Sequence, residues 1–335
     1  MNRAGLTVAR GGAILRGMST ARYSLSRRGF VASACILTAC AGKKGADKLE
    51  GASGGSATRF AGDPRIGQYV SNGWTFATSS FWISGPEGLV LVDTQFLPSI
   101  GLEAASLAEK ATGQIIKTAI VLHANPDKFN GTTVLQQRGV EVLTSQQVLD
   151  AMPPIHKKRV EAFYERYKPD YPLEMPNPSV FGAATTQLLK AGLAMTAHVM
   201  GPGVSEAHVV LQFEDQVFVG DLVANGAHSW LEIGKTDEWI KRIDEIAAMK
   251  PRFVHPGRGP SGGPELLTNQ KKYLEEVIAL VAAEKPAGEP NKAALGRVKA
   301  QLEQRYPKHR FAVFLELGLP AEWRRQAAQA PAAPV

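Results

Sequence analysis

The chain has 335 residues, 44% of them hydrophobic, with 33 Gly and 21 Pro, a composition that can bury a large core and excludes a wholly disordered protein. Its formal charge is +7, but residues 1–40 hold six Arg and no Lys, Asp or Glu. Residues 41–335 therefore keep a formal charge of only +1, which excludes the broad basic surface that binds nucleic acids.

The N-terminal segment, residues 1–40, has the pattern of an export signal. Ser26-Arg27-Arg28-Gly29-Phe30 is a twin-arginine pattern, and the apolar run that follows it is too short to span a bilayer. The run ends in Leu37-Thr38-Ala39-Cys40, which resembles a bacterial lipobox. We therefore expect an exported protein on the periplasmic side, anchored to a bacterial membrane through a lipidated Cys40.

The remaining chain divides into three parts by composition. Residues 41–62 are rich in Gly, Ser and Ala, which predicts a flexible tether. Residues 63–285 contain periodic segments without a second linker and are predicted to form one large domain. Residues 286–335 are predicted to form a C-terminal helical extension with a weakly structured tail.

The first half of the domain begins with a predicted hairpin, in which two apolar strands flank the turn Gly85-Pro86-Glu87-Gly88. A helix that ends at Gly113 and a short buried strand then complete a β-α-β unit. Further helices and a strand alternate up to residue 167. The predicted strands are 75–83, 89–92, 118–122 and 140–143, and the predicted helices are 102–112, 132–138 and 145–167.

The second half contains strands at hairpin spacing, followed by helices with apolar faces. Two groups of strands with helices between them predict an α/β fold, in which two sheets pack together and helices cover them. The predicted strands are 186–189, 195–200, 207–213, 217–219 and 253–254, and the predicted helices are 236–249, 266–284 and 292–305.

The loop after strand 118–122 carries the most informative side chains of the chain. Its sequence is Leu122-His123-Ala124-Asn125-Pro126-Asp127-Lys128-Phe129-Asn130-Gly131. Such a loop lies at the carboxyl end of a buried strand, and the active sites of α/β proteins lie at that end of the sheet. The pattern indicates a metal-binding loop in which some ligands have been exchanged.

Four landmarks of the chain resemble those of the metallo-β-lactamase superfamily, in the same order and with similar spacing. The resemblance covers about residues 62–262 and implies a four-layer αββα sandwich with a hydrolase site. The landmarks are Leu91-Val92-Asp93-Thr94, the His123 loop, Gly201-Pro202-Gly203-Val204-Ser205, and Gly220-Asp221-Leu222 with the later Pro256-Gly257-Arg258-Gly259.

The resemblance also implies which positions would hold two zinc ions. At three of these positions the residue type of the family is kept, in His123, Asp127 and Asp221. At the others the family's histidines are replaced, by Asn125, Lys128, Val204 and Arg258. Val204 has no atom that could bind a metal, and Lys128 and Arg258 bring positive charges to the centre. No binuclear metal site and no cofactor are therefore expected.

Two functions fit this pattern. In the first, Lys128 and Arg258 balance the charges of Asp127 and Asp221, and the site binds a small anionic or polar ligand, or a protein, without zinc hydrolysis. The candidate pocket residues are Asn125, Asp221, His228 and Arg258. For an enzyme the candidate catalytic residues are His123, Asp127 and Lys128, and a metal-free acid–base reaction through Lys128 or His123 is the less supported form.

In the alternative, the protein is a hydrolase of an ester, lactone, thioester or amide with a single zinc or other divalent metal. The three ligands would be His123, Asp221 and a further histidine, of which His255 is the first candidate and His208 or His228 the next. Asp127 would then act as the base. Two interpretations fit Trp230 and the aromatic residues from Phe163 to Tyr171: they line a pocket, or, as is more usual for aromatic residues at helical spacing, they pack in the core.

Overall fold

The computed structural model describes residues 48–329, all of which belong to one compact unit, Gly45–Val335. Among these residues, no helix is both long and apolar enough to cross a membrane. The export signal, Cys40 and the first part of the predicted tether lie outside the described residues, as do positions 330–335 of the predicted tail.

The first sheet has eight strands in the same order as the chain. β1 to β5 are antiparallel neighbours, and β5 to β8 run parallel. Because β5 and β6 are parallel, their carboxyl ends lie at the same edge of the sheet, and the loops that follow them can meet there. The strands are β1 (Leu49–Glu50), β2 (Ser56–Arg59), β3 (Ile66–Val70), β4 (Ser79–Gly85), β5 (Gly88–Val92), β6 (Ile116–Ile120), β7 (Glu141–Ser145) and β8 (Ser179–Gly182).

The second sheet has five strands in the order β13-β12-β11-β10-β9. Four of them form antiparallel pairs, and β13 joins β12 in parallel. The strands are β9 (Thr186–Lys190), β10 (Leu193–Met200), β11 (His208–Phe213), β12 (Gln216–Ala224) and β13 (Phe253–Arg258).

The two sheets face each other across one hydrophobic core. Phe81 of β4 and Phe218 of β12 meet there, with ring centroids 5.4 Å apart. Helices cover the outer face of each sheet, so the predicted four-layer αββα sandwich is confirmed. The helices are α1 (Pro98–Thr112), α2 (Pro126–Phe129), α3 (Thr132–Gln137), α4 (Gln146–Tyr167), α5 (Thr236–Ala248), α6 (Glu265–Ala283), α7 (Lys292–Arg305) and α8 (Val313–Gln329).

The predicted flexible tether is wrong for residues 48–62. β1 and β2 form a hairpin that adds to the edge of the first sheet next to β3. Ala57 is buried within it, and Ser53 bonds to Glu103 of α1 through its backbone N–H and its hydroxyl. A composition rich in small residues predicts flexibility, whereas in the folded protein these residues allow the tight turn and the close packing of the hairpin.

The C-terminal tail is also more ordered than the sequence suggested. α8 continues to Gln329 and buries Phe314, Leu315, Leu319 and Trp323. Its amphipathic pattern is interrupted by Pro320, and this weakens the periodic signal on which sequence-based prediction depends.

Candidate functional site

Backbone contacts fix the His123 loop at the ends of β5 and β6. The backbone N–H of Leu122 donates to Oδ1 of Asp93 over 2.9 Å, and that of Thr94 donates to the carbonyl of Lys128 over 2.7 Å. Gly131 lies so close to Thr94 that a Cβ atom there would be 2.0 Å from its carbonyl oxygen. The loop that carries the candidate residues is therefore held rigidly.

The parallel pair β12 and β13 brings Asp221 and Arg258 to the same centre. Gly220 is the register partner of Pro256. The next residue, Gly257, leaves room for the Asp221 carboxylate, since a Cβ atom would lie 2.1 Å from Oδ1 of Asp221. A side chain at this position would displace the carboxylate.

Lys128 and Arg258 both contact the carboxylates of Asp127 and Asp221. Nζ of Lys128 lies 3.2 Å from Oδ2 of Asp127 and 2.9 Å from Oδ1 of Asp221. Nη2 of Arg258 lies 2.7 Å and 3.0 Å from Oδ2 of the same two residues. All four side chains are at least nine-tenths buried. They form a network of ion pairs that we call the four-residue charge cluster.

Further hydrogen bonds hold Arg258 in this position. Its Nη1 donates to the carbonyl of Phe76 over 2.7 Å and to Oγ1 of Thr78 over 3.0 Å. Thr78 also donates to Oδ2 of Asp127 over 3.2 Å. The guanidinium group therefore has protein partners on both of its terminal nitrogens, and its planar fork is well suited to this arrangement.

The charge cluster keeps its carboxylates ionised. Burial alone would raise the pKa of Asp127 and Asp221, but attraction to Lys128 and Arg258 outweighs burial and lowers both. In Asp93, burial outweighs the attraction of Lys128 and raises the pKa to about 8. At pH 7, Asp93 is therefore mostly neutral, and two anions face two cations.

His123 and His208 lie side by side beneath this cluster, with ring centroids 5.1 Å apart. Nε2 of His123 accepts from the backbone N–H of Asp221 over 3.4 Å, and Nε2 of His208 accepts from that of Ser205 over 3.1 Å. Burial lowers the pKa of His123 to about 4 and that of His208 well below its usual value. Both rings are therefore neutral at pH 7 and use Nε2 for contacts within the protein.

His255, the first candidate for a third metal ligand, lies outside the centre, and that prediction is wrong. Its ring stacks on Phe218 with centroids 4.4 Å apart and meets Phe81 of the opposite sheet. Its nitrogens contact Ser261 and Gln216 over 2.8 Å and 3.1 Å. His255 therefore belongs to the core between the two sheets.

His228 was predicted as a pocket residue, but it also lies elsewhere. Its Nδ1 is 2.9 Å from the hydroxyl of Tyr273 on α6, and its ring faces His309 with centroids 5.4 Å apart. Its backbone N–H donates to the carbonyl of Arg310 over 2.9 Å. His228 thus helps to hold the segment before α8 instead of lining the site.

A cavity opens above the charge cluster, with ≈ 30 Å³ of room for the centre of a water molecule. This suffices for a few waters or one small group. Asn125, Asp127, Asp221 and Arg258 line its floor. His123 and Lys128 are fully buried and do not line it.

Five aromatic side chains form the sides of the cavity, and we call them the aromatic walls. For Phe163 and Trp230 the sequence offers two interpretations, pocket lining and core packing, whereas it gives no site prediction for Phe76, Phe96 or Phe314. Each comes from a different segment, so no local pattern could have indicated their meeting. They are Phe76, Phe96, Phe163, Trp230 and Phe314.

Arg159 of α4 also lines the cavity and was not predicted. Its guanidinium group bonds to the carboxylate of Glu232 and lies 4.9 Å from the ring centroid of Trp230. Among the described residues, 48–329, no group of three or more His, Cys, Asp or Glu side chains is arranged to hold a metal ion.

Comparisons with known proteins agree with one another, since each of them finds metallo-β-lactamases. The family model described as "Metallo-beta-lactamase superfamily" matches residues 73–258. A curated relative, "Metallo-beta-lactamase type 2" of Bacteroides fragilis, is 26% identical over 170 residues, which is 49% of this chain. The chain spans 61% of the length of that relative.

Solved structures support the same fold. A metallo-β-lactamase from Pontibacter korlensis has a TM-score of 0.51 at 21% identity, over 66% of this chain and 99% of its own. FIM-1 from Pseudomonas aeruginosa, solved in a mono-zinc form, has a TM-score of 0.51 at 17% identity, over 66% and 95%. At these identities the likeness concerns the fold alone.

Proposed function

Because this chain belongs to the metallo-β-lactamase superfamily, we propose that it uses the fold to bind a small polar molecule without a metal. Lys128 and Arg258 supply the positive charge that metal ions would otherwise bring to Asp127 and Asp221. The protein is then a binding protein on a hydrolase scaffold and does not carry out binuclear zinc hydrolysis.

The contact of Lys128 with both carboxylates carries this proposal. Its ammonium group lies within 3.2 Å of Asp127 and Asp221, at the centre where a divalent cation would need the same oxygens. A metal would have to displace this cation and leave it buried without a partner, which is strongly unfavourable. The residues present therefore do not fit a pair of zinc ions.

The remaining ligand positions support the same conclusion. Val204 is buried and has no donor atom. His123 directs Nε2, a nitrogen that could bind a metal, towards the backbone N–H of Asp221. Of the three candidates for the third ligand of the mononuclear alternative, His255 lies in the core and His228 lies beside Tyr273. His208 lies beside His123, but its Nε2 accepts a hydrogen bond from the backbone N–H of Ser205.

The charges around the cavity favour a polar ligand over an anionic one. Lys128 and Arg258 are already paired with carboxylates, and Arg159 is paired with Glu232. An anion would have to compete with these internal partners. The floor still offers polar atoms, because Asn125, Asp127 and Asp221 line the cavity.

We further propose that the protein is exported and anchored to a membrane on the periplasmic side. The support is the sequence alone, namely the twin-arginine pattern around Arg27-Arg28 and the lipobox that ends at Cys40. We expect wild-type protein in the membrane fraction, with a lipid on Cys40 in mass spectrometry. Cys40→Ser should release it, and an unmodified Cys40 in the isolated protein would contradict the proposal.

A hydrolysis screen tests the proposed binding role. Purified protein is assayed with generic ester, lactone, thioester and amide substrates, before and after incubation with zinc or manganese. We expect no turnover that depends on the site, so Asp127→Ala and His123→Ala should give the same background rate of turnover as the wild type. Metal-stimulated turnover that both substitutions abolish would establish the mononuclear hydrolase instead.

A further inference from the structure

Trp74 is a large aromatic side chain that remains on the surface of the domain, with 51% of its area exposed. It lies in the short 3-10 helix Gly73–Thr75. The guanidinium group of Arg166 stacks on its ring, with Cζ 4.1 Å from the ring centroid. The hydroxyl of Tyr167 donates to the backbone carbonyl of Trp74 over 2.9 Å. An apolar ring and a cation are thus held together at one point of the surface.

Arg310 brings a second cation to the same place. A Cβ atom on Gly73, the neighbour of Trp74, would lie 3.1 Å from Nη2 of Arg310. Among residues 48–329, no carboxylate pairs with the guanidinium group of Arg310 or of Arg166, and each of these groups instead stacks on aromatic rings. We call Trp74 and its two flanking arginines the Trp74 surface.

The start of α8 extends this surface with aliphatic side chains. Val313 and Leu317 are both exposed and lie one turn apart, so they share one face of the helix. The ring of Phe311, just before α8, lies 6.4 Å from that of Phe76, which follows Trp74 by two residues. The beginning of α8 and the segment around Trp74 are therefore neighbours.

This combination of side chains fits the surface of a lipid bilayer. Tryptophan prefers the headgroup level, because its ring is apolar and its N–H is polar. Arginine binds phosphate oxygens through its planar fork, and an anionic leaflet attracts arginines that lie close to it. Since Arg166 and Arg310 have no carboxylate partner among the described residues, their charges are available to anionic headgroups.

The N-terminal hairpin lies between this surface and the predicted lipid anchor. Nδ2 of Asn72 donates to the carbonyl of Ser53 in the turn between β1 and β2 over 2.6 Å. Seven residues separate Cys40 from Lys48, the first described residue. A chain of this length spans at most about 29 Å even when fully extended. A lipid on Cys40 would therefore keep the hairpin, and Trp74 beside it, close to the bilayer.

We propose that the Trp74 surface lies against the membrane, with the ring of Trp74 in the headgroup layer and Arg166 and Arg310 on the phosphates of anionic lipids. This inference rests on the proposed lipid anchor at Cys40, and it is independent of the chemistry of the charge cluster. The surface gives the anchored domain a defined orientation, in which the segment around Trp74 and the start of α8 face the bilayer.

Quenching of tryptophan fluorescence by brominated lipids tests this contact. Lipidated protein purified from membranes is reconstituted into vesicles of equal parts phosphatidylcholine and phosphatidylglycerol, with or without bromine on the acyl chains. The brominated vesicles should quench the wild type, and Trp74→Phe should lose most of this quenching. The matched control is Trp323→Phe, which removes a tryptophan that is only 4% exposed, and it should be quenched like the wild type.

The two arginines are tested in the same assay. Arg166→Gln combined with Arg310→Gln should lower the ratio of quenched to unquenched protein by up to about 25-fold, since each arginine near an anionic surface contributes a factor of about five. Vesicles of phosphatidylcholine alone should lower it similarly. The matched control is Arg252→Gln, because Arg252 is also exposed and stacks on Phe253 with Cζ 4.9 Å from the ring centroid. This control should leave the ratio unchanged.

The opposite results overturn the proposal. Lipidated protein that brominated vesicles do not quench refutes the membrane contact, and so does quenching that persists in Trp74→Phe. Equal quenching in phosphatidylcholine alone, or in the double arginine variant, refutes the contact with anionic headgroups. Mass spectrometry of the same sample tests the anchor separately. An unmodified Cys40 refutes the anchor and this inference with it, whereas a lipidated Cys40 without quenching refutes the Trp74 surface alone.

Discussion

Nζ of Lys128 lies 2.9 Å from Oδ1 of Asp221, and both side chains are almost completely removed from solvent. A buried ammonium group has a high desolvation cost, which only close carboxylates can offset. Burial therefore lowers the pKa of Lys128, but attraction to Asp127, Asp221 and Asp93 outweighs it and raises the pKa. The cation is consequently a fixed part of the native structure.

Removing this cation should destabilise the protein. Lys128→Met keeps the length of the side chain but leaves two buried carboxylates that share only Arg258, and we expect a loss of about 3–5 kcal/mol in the free energy of unfolding. The measurement is urea denaturation monitored by circular dichroism. Adding Asp127→Asn to Lys128→Met should restore part of the loss, because one uncompensated charge disappears.

Lys271→Met is the control for that experiment. Lys271 pairs with Asp244 at the surface, where both side chains are partly exposed, so its removal should leave stability nearly unchanged. Equal stability of Lys128→Met and the wild type would show that the charge cluster is not required for the fold.

The tight approach of Gly131 to Thr94 gives a second prediction. Gly131→Ala would place Cβ 2.0 Å from a carbonyl oxygen, so the His123 loop must shift, at a cost of about 1–3 kcal/mol. Gly296→Ala in α7 is the matched control, since no atom lies within 4 Å of its added Cβ. It should gain up to about 1 kcal/mol from helix propensity. Thermal melting of both variants distinguishes these effects, and equal melting temperatures would contradict the tight loop.

Stability should fall as the pH falls from about 6.5 to 4. Burial lowers the pKa of His123 and His228 to about 4 and that of His255 to about 3, and it also lowers the pKa of His208. In this window the unfolded chain binds protons that the folded chain does not, so acid favours unfolding. Asp93, with its pKa of about 8, acts in the opposite direction, but it is one group against five histidines, since burial also lowers the pKa of His309.

Thermal melting at a series of pH values checks this sign. The melting temperature should drop steadily below pH 6.5, and His255→Gln should make the drop shallower because one of the five histidines no longer titrates. A melting temperature that is constant or rises towards pH 4 would contradict the assignment of neutral, buried histidines.

Restoring the family's histidines should restore metal binding. The variant carries Asn125→His, Lys128→His, Val204→His and Arg258→His, which returns donor atoms to the exchanged positions and removes both cations. The folded fraction should gain bound zinc, and added zinc should raise its melting temperature, as expected for a ligand that binds only the native state. A folded variant without zinc would show that these four positions do not account for the missing site.

The fold could be predicted from the sequence because its central strands have clear apolar patterns. Strands such as β5 and β6 are apolar, short and bounded by turns. The four landmarks, which occur in the same order as in the family, predicted how these strands are arranged. β1 and β2 were missed because a Gly- and Ser-rich segment has the composition of a linker. Only the pairing of β2 with β3 shows that this segment is part of the sheet.

The candidate site could be predicted only in part. Positions within the landmarks, such as Asp221 and Arg258, come together as expected. The aromatic walls could not be foreseen, because Phe76 and Phe314 lie far apart in the chain and meet only after folding. His255 was misassigned because adjacency to the Pro256-Gly257 turn does not show which way its side chain points.

Elemental analysis of the zinc-treated protein tests the central claim most directly. Purified protein is incubated with excess zinc, dialysed, and analysed for metal per chain. Because Lys128 and Arg258 already neutralise Asp127 and Asp221, we predict far less than one zinc ion per chain, with no change on His123→Ala. Stoichiometric zinc that is lost in His123→Ala and in Asp221→Asn would contradict the account.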